Sequence, residues 1–162
     1  MKKKSNNIIV KICVIILSVF IAINAVWLIH HFLVFGKYEK ITFDEAIPNA
    51  KVSLKNNLTF SVSKAQYLNF AGNLGIVAAE DEKFLIVWPT LLEGNTYGFM
   101  MSDETQTYNF VVDEFGNLLN GDEFAESAKA VYAENKDYAQ YLLSEFNAWT
   151  EAAEKCDYSF FD

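Results

Sequence analysis

Carboxylates are the only acid–base groups this sequence holds in quantity. It has 21 Asp and Glu, two adjacent histidines (His30 and His31), two cysteines (Cys13 and Cys156) and no arginine. A Ser-His-Asp triad, a Cys-His dyad or a histidine zinc site cannot be assembled from the residues after His31. Neighbouring side chains on a helix point about 100° apart, so His30 and His31 make a poor clamp for one metal ion. They suit a wetted interface, with pH sensing as the alternative because imidazole titrates near neutrality. No activating cation motif surrounds Cys156, which reads as a bystander thiol or a site of intermolecular pairing.

The densest acidic runs are Glu80-Asp81-Glu82 and Asp113-Glu114. The run at Asp113 lacks Ca²⁺-loop spacing, since Phe115 stands where an oxygen ligand is wanted, and both runs read as solvated turns rather than cation sites. With so many acids, close carboxylate pairs arise by chance, and a carboxylate-dependent hydrolase ranks last among the readings. Glu80, Asp81 and Glu82 are expected in a solvated turn, where they would offer charge to a basic partner. Tyr97 and Phe99 share one face of a short strand read as a sheet edge. They are the candidate aromatic contact patch for a partner, the alternative being satellite core. There is no P-loop, no GxGxxG and no CxxC, so no cofactor and no metal are expected.

The charge is divided sharply along the chain. Lys2, Lys3, Lys4 and Lys11 precede residue 36 without a single acid, leaving nine lysines against all 21 acids beyond it, a net charge of −12. An acidic domain without arginine repels phosphate, which disfavours nucleic acid as a partner. Between the two regions runs an apolar stretch, residues 12–35, interrupted only by Asn24, His30 and His31 among strongly polar residues. At about 1.5 Å per residue it reaches across a hydrocarbon core of about 30 Å. The expected organisation is a basic cytoplasmic tail (1–11), a transmembrane anchor (12–35), a connector (36–50) and an extracytoplasmic domain (51–162). The lysine bias sets the orientation, N-terminus inside. A cleaved signal peptide, cut near Ile23-Asn24-Ala25, is the competing expectation. The apolar residues continuing through Phe35 count against it.

After the connector the hydrophobic period becomes two. Lys51 to Lys55 and Leu58 to Ser63 alternate around Asn56-Asn57, a hairpin signal. Phe84-Leu85-Ile86-Val87-Trp88 is apolar on both faces and reads as a central strand. Strands are also expected at 96–101, 108–113 and 118–119, with residues 70–75 as a loop. Phe124, Ala128, Val131, Tyr138, Leu142, Phe146, Trp149 and Ala153 then follow helical spacing, in one helix or in two broken near Asn135. Asn120-Gly121-Asp122-Glu123 offers a capping box for its start. The fold class expected is α+β. It comprises an N-terminal transmembrane helix, an antiparallel meander or partial β-sandwich of about six strands, and one or two C-terminal helices packed on it.

The run Lys83-Phe84-Leu85-Ile86-Val87, followed by Phe110-Val111-Val112-Asp113-Glu114-Phe115-Gly116-Asn117, resembles a known pattern. It is that of the immunoglobulin-like extracytoplasmic domains of Gram-positive lipoproteins and membrane-anchored proteins of unknown function. The resemblance covers residues 58–119 and implies a binding or structural module rather than an enzyme. Lysine as the sole strong base, with much Asn and Ile, fits an AT-rich bacterial genome, so the glycosylation-like Asn57-Leu58-Thr59 reads as chance. The expected function is a membrane-anchored binding module with the lipid bilayer and a protein or envelope component as partners. A structural subunit of a cell-surface or secretion assembly is the second reading.

Overall fold

The computed structural model describes residues 2–47, 49–63, 67–68, 70, 73–78, 83–87, 96–102 and 105–162. The fold is α+β. A long apolar helix, α1 (Lys2–Val34), leads into a short helix, α2 (Gly36–Ile41). Seven antiparallel strands follow in one sheet, ordered as they occur in the chain: β1 (Asp44–Ile47), β2 (Ala50–Lys55), β3 (Leu58–Ser63), β4 (Asn73–Ala78), β5 (Lys83–Val87), β6 (Tyr97–Ser102) and β7 (Thr107–Val112). A 30-residue helix, α3 (Glu126–Lys155), covers one face of that sheet.

Local chemistry explains the best-defined elements. Asn56 and Asn57 both take positive φ, 51° and 63°, the twist a two-residue hairpin needs, and Lys55 pairs with Leu58 across them. Leu58, Phe60 and Val62 are buried while Thr59, Ser61 and Ser63 are only half-buried, so alternation and register agree. Tyr108, Phe110 and Val112 do the same on β7. In α3 the buried side chains include Ala128, Tyr132, Ala139, Leu142, Phe146, Trp149 and Ala153, one stripe facing the sheet. Trp149 is fully buried, edge-on to Phe60 at 5.2 Å and to Tyr38 at 4.9 Å, which makes it the meeting point of sheet, α2 and α3.

Several expectations are corrected. The connector expected at 36–50 contains regular structure, α2 and β1, and on α2 Tyr38 and Ile41 share a face that the core covers. Residues 73–75 open β4 rather than lying in a loop, with Gly75 in register with Ile86. Residues 118–119 contribute only a bridge between Leu118 and Val112. Of the two forms expected for the C-terminal helix the chain takes the single one, continuous through Asn135, whose side chain donates to the Val131 carbonyl at 2.9 Å. Asn120 does not cap it. Its Oδ1 accepts from the Val111 amide at 2.8 Å, and α3 begins after Ala125 with no side-chain cap.

At its other end α3 stops at Cys156, which adopts the left-handed conformation with φ 49°. The Asp157 amide donates back to the Ala152 carbonyl at 2.9 Å, closing the last turn.

Candidate functional site

Tyr97 and Phe99 are not a surface patch. They are 7% and 0% exposed, and they face α3, where Tyr97 meets Phe146 at 5.7 Å and Phe99 meets Tyr132 at 6.2 Å. The physical reason is strand order. β6 is paired on both sides, by β5 and β7, so it has no free edge. Burial, followed by the nearby charge of Glu114, raises the Tyr97 phenol above its ordinary 10.0. Glu80, Asp81 and Glu82 lie outside the described residues, as do Trp88 and the turn at 93–95.

The turn 113–117 is built as a turn. The Asp113 carboxylate accepts from the amides of Phe115 at 2.9 Å and Asn117 at 2.7 Å, and from the Asn117 side chain at 2.9 Å. Burial pushes the Asp113 carboxyl up, but these donors outweigh it and hold it below its usual range. Among the described residues, no three His, Cys, Asp or Glu side chains gather into a metal-ligating group.

The residues that do converge lie where α1 meets the domain. The backbone ladder does not stop between α1 and α2. The Phe35 amide donates to His31 at 2.9 Å and the Glu39 amide to Phe35 at 3.0 Å, so helical bonding runs through the junction. Phe35 and Ile41 are fully buried. The Tyr38 hydroxyl donates to Thr150 Oγ1 at 2.9 Å, and that hydroxyl donates on to the Phe146 carbonyl at 3.0 Å. Burial raises the Tyr38 phenol, opposed by the Thr150 bond and the Lys37 charge. Lys37 pairs with Glu154 at 2.5 Å, which lowers the Glu154 carboxyl.

Lower on α1 the chain returns to touch the helix. Tyr67 donates to Asn24 Oδ1 at 2.5 Å, while the Asn24 amide group donates to the Phe20 carbonyl at 2.7 Å. Tyr67 also stands edge-on to Trp27 at 5.5 Å, and Phe70 edge-on to His30 at 5.4 Å. The two histidines share Phe35, at 6.2 Å and 5.8 Å, but differ in their other partners. His31 stacks on Trp27 at 5.8 Å and brings its Nε2 to 3.7 Å from the Glu39 carboxylate. Its Nδ1 is buried without a partner among the described residues.

Beside this junction is a groove of about 550 Å³, floored by Gly36 and Glu39 and walled by Phe32, Tyr158 and three lysines, Lys37, Lys40 and Lys51. Lys51 is steered by the Glu39 carbonyl, 2.8 Å from its Nζ. Three lysines and one glutamate line the groove, and Lys37 is already paired with Glu154 beside it, so cations still outnumber carboxylates here in a domain whose net charge is strongly negative. The groove lacks a nucleophile with a base and can hold an anion. A second depression, about 310 Å³, lies between the 113–117 turn and α3 and is lined by Glu114, Phe115 and Gln140. Gln140 donates to the Phe115 carbonyl across it at 2.9 Å, which leaves it few free donors.

Sequence reasoning missed the groove. Lys37 and Lys40 are three apart on α2, on a face turned about 100° from that of Tyr38 and Ile41, and that pattern is legible. Lys51 joins them only because β1 turns the chain back. Among known proteins, no family model, no curated protein and no solved structure matches this chain.

Proposed function

We propose that this chain is a single-pass membrane protein, N-terminus cytoplasmic, whose acidic α+β domain stands outside as a tethered binding module. One observation carries the reading: the apolar helix enters the domain's own core instead of ending before it. Helical hydrogen bonds continue through Phe35, and Phe35, Tyr38 and Ile41 are buried against the sheet and α3. The rest of the helix, Ile8–Val34, is long and apolar enough to cross a membrane, and its large side chains from Ile8 to Phe20 are exposed. Water is a poor solvent for such a surface and lipid a good one.

The same junction supports an uncleaved anchor. Cleavage near Ala25 would remove Asn24, the partner of Tyr67, and leave His30, His31 and Phe32 at a frayed end. A helix continuous with the core holds the domain at one height and one orientation above the bilayer, as a binding module for a membrane-proximal protein or envelope component requires.

The test is alkaline carbonate extraction of membranes carrying the full chain with a C-terminal tag, with crosslinking on the same material. The reading expects the uncut chain in the pellet and a recurrent crosslinked partner. A shortened, tagged chain in the supernatant contradicts it.

A further inference from the structure

The domain carries a net charge of −12 beyond residue 35, yet three of its nine lysines line one groove at the root of the apolar helix. Two are fixed by neighbours, Lys37 by Glu154 and Lys51 by the Glu39 carbonyl. Lys40 is exposed and has no ion pair or hydrogen bond among the described residues. Glu39, the one carboxylate among the lining residues, has its Oε1 beside His31 Nε2, and Glu154 adds a second carboxylate against Lys37. Tyr158 adds a half-exposed phenol. The wall on the helix side is Phe32, 70% exposed and within the apolar span, followed by Leu33, equally exposed. A polar, cationic end thus opens onto an apolar flank.

We propose that this groove binds the phosphodiester headgroup of a net-anionic phospholipid, with the lipid's chains running down past Phe32. The assignment rests on the membrane-anchor reading, but it holds whichever side of the membrane the domain occupies. Lysine ammonium groups are suited to phosphate, and each basic residue near an anionic bilayer adds attraction that fades within a Debye length. The groove lets an acidic domain sit against an anionic surface that would otherwise repel it.

The experiment uses the detergent-solubilised full chain, incubated with equal amounts of phosphatidylglycerol and phosphatidylcholine and examined by native mass spectrometry. Carbonate extraction and thermal unfolding are run on the same variants. The expected result is one retained phosphatidylglycerol in preference to phosphatidylcholine. Lys40→Glu and the milder Lys40→Gln/Lys51→Gln pair should lower that preference roughly tenfold without changing membrane retention. Lys129→Glu should leave it intact. That residue lies 25 positions along α3 from Glu154, about 37 Å away at about 1.5 Å per residue.

Equal retention of the two lipids, or equal loss with Lys129→Glu, overturns the site. If soluble glycerol phosphate fills the groove as tightly as the lipid, the phosphate chemistry stands and the lipid source is overturned. If the uncut chain leaves the membrane in carbonate, the anchor reading falls and the lipid site falls with it. A chain that stays in the pellet without headgroup preference condemns the groove alone.

Discussion

Tyr38 stands edge-on to Trp149, ring centres 4.9 Å apart, and donates its hydroxyl to the next residue, Thr150. Through this pair the turn that continues the apolar helix is keyed into the far end of α3. The stability of the domain and the orientation of the helix therefore depend on one another. Truncating Tyr38 to Ala should cost about 3–4 kcal/mol, as removal of a buried aromatic does. Tyr38→Phe should cost only about 1 kcal/mol, the net worth of one hydrogen bond. Chemical unfolding of the detergent-solubilised full chain measures both. A Tyr38→Ala loss below that of Tyr38→Phe would mean the ring is not core.

The two glycines Gly36 and Gly116 should respond oppositely to alanine. A Cβ on Gly36 meets only Phe32, at 3.8 Å, in a helical backbone, so Gly36→Ala should gain about 0.5–1 kcal/mol. Gly116 has φ +73°, and a Cβ there would stand 2.9 Å from Gln140 Cγ. Gly116→Ala should cost about 1–2 kcal/mol and loosen the Gln140 bond to Phe115. Paired thermal melts of the two variants decide the point.

Cys156 holds a left-handed backbone that glycine adopts without strain. Cys156→Gly should raise stability by about 1 kcal/mol. The exposed thiol contributes no packing that the change would remove. A neutral or lower midpoint would show that α3 does not end in this geometry.

Alkaline pH should weaken the domain through its buried phenols. Tyr132 donates to the Gly116 carbonyl at 2.6 Å, and burial, with the charge of Asp113 second, pushes its pKa from 10.0 to about 12. A pKa raised on folding means that stability is intact below 10.0 and is lost as pH climbs from there through about 12. Tyr132→Phe should be less stable at neutral pH by about 1 kcal/mol. Its stability should also fall less steeply across that window, since Tyr38 and Tyr97 still contribute in the same direction. Urea titrations at several pH values would read the slope.

Local pattern reveals the β2–β3 hairpin and α3 because their signals are short-range: a two-asparagine turn, alternation that β3 keeps and β2 breaks where Ser53 is buried and Leu54 exposed, and a repeating apolar stripe. β4 is hidden by its composition. Gly75 lies in register with Ile86, which in turn pairs with Gly98, so its strand character comes from the partner strand rather than from its own propensity. Tyr97 and Phe99 looked like an edge because strand order is a tertiary fact, and the same alternation describes an edge strand and an inner one. The lysine groove needed the return of the chain through β1 to bring Lys51 to Lys37 and Lys40. The alternating pattern around Lys51 says only that it faces away from the core.

Cys156 also supplies the most direct test of the central claim, because it is exposed at the end of α3 while Cys13 lies inside the apolar helix. Intact cells expressing the full chain would be treated with a membrane-impermeant maleimide, then fractionated and sized. The account predicts labelling of the full-length, membrane-bound chain before lysis, abolished by Cys156→Ser. Labelling only after the cells are opened, or only on a shortened soluble chain, would contradict it.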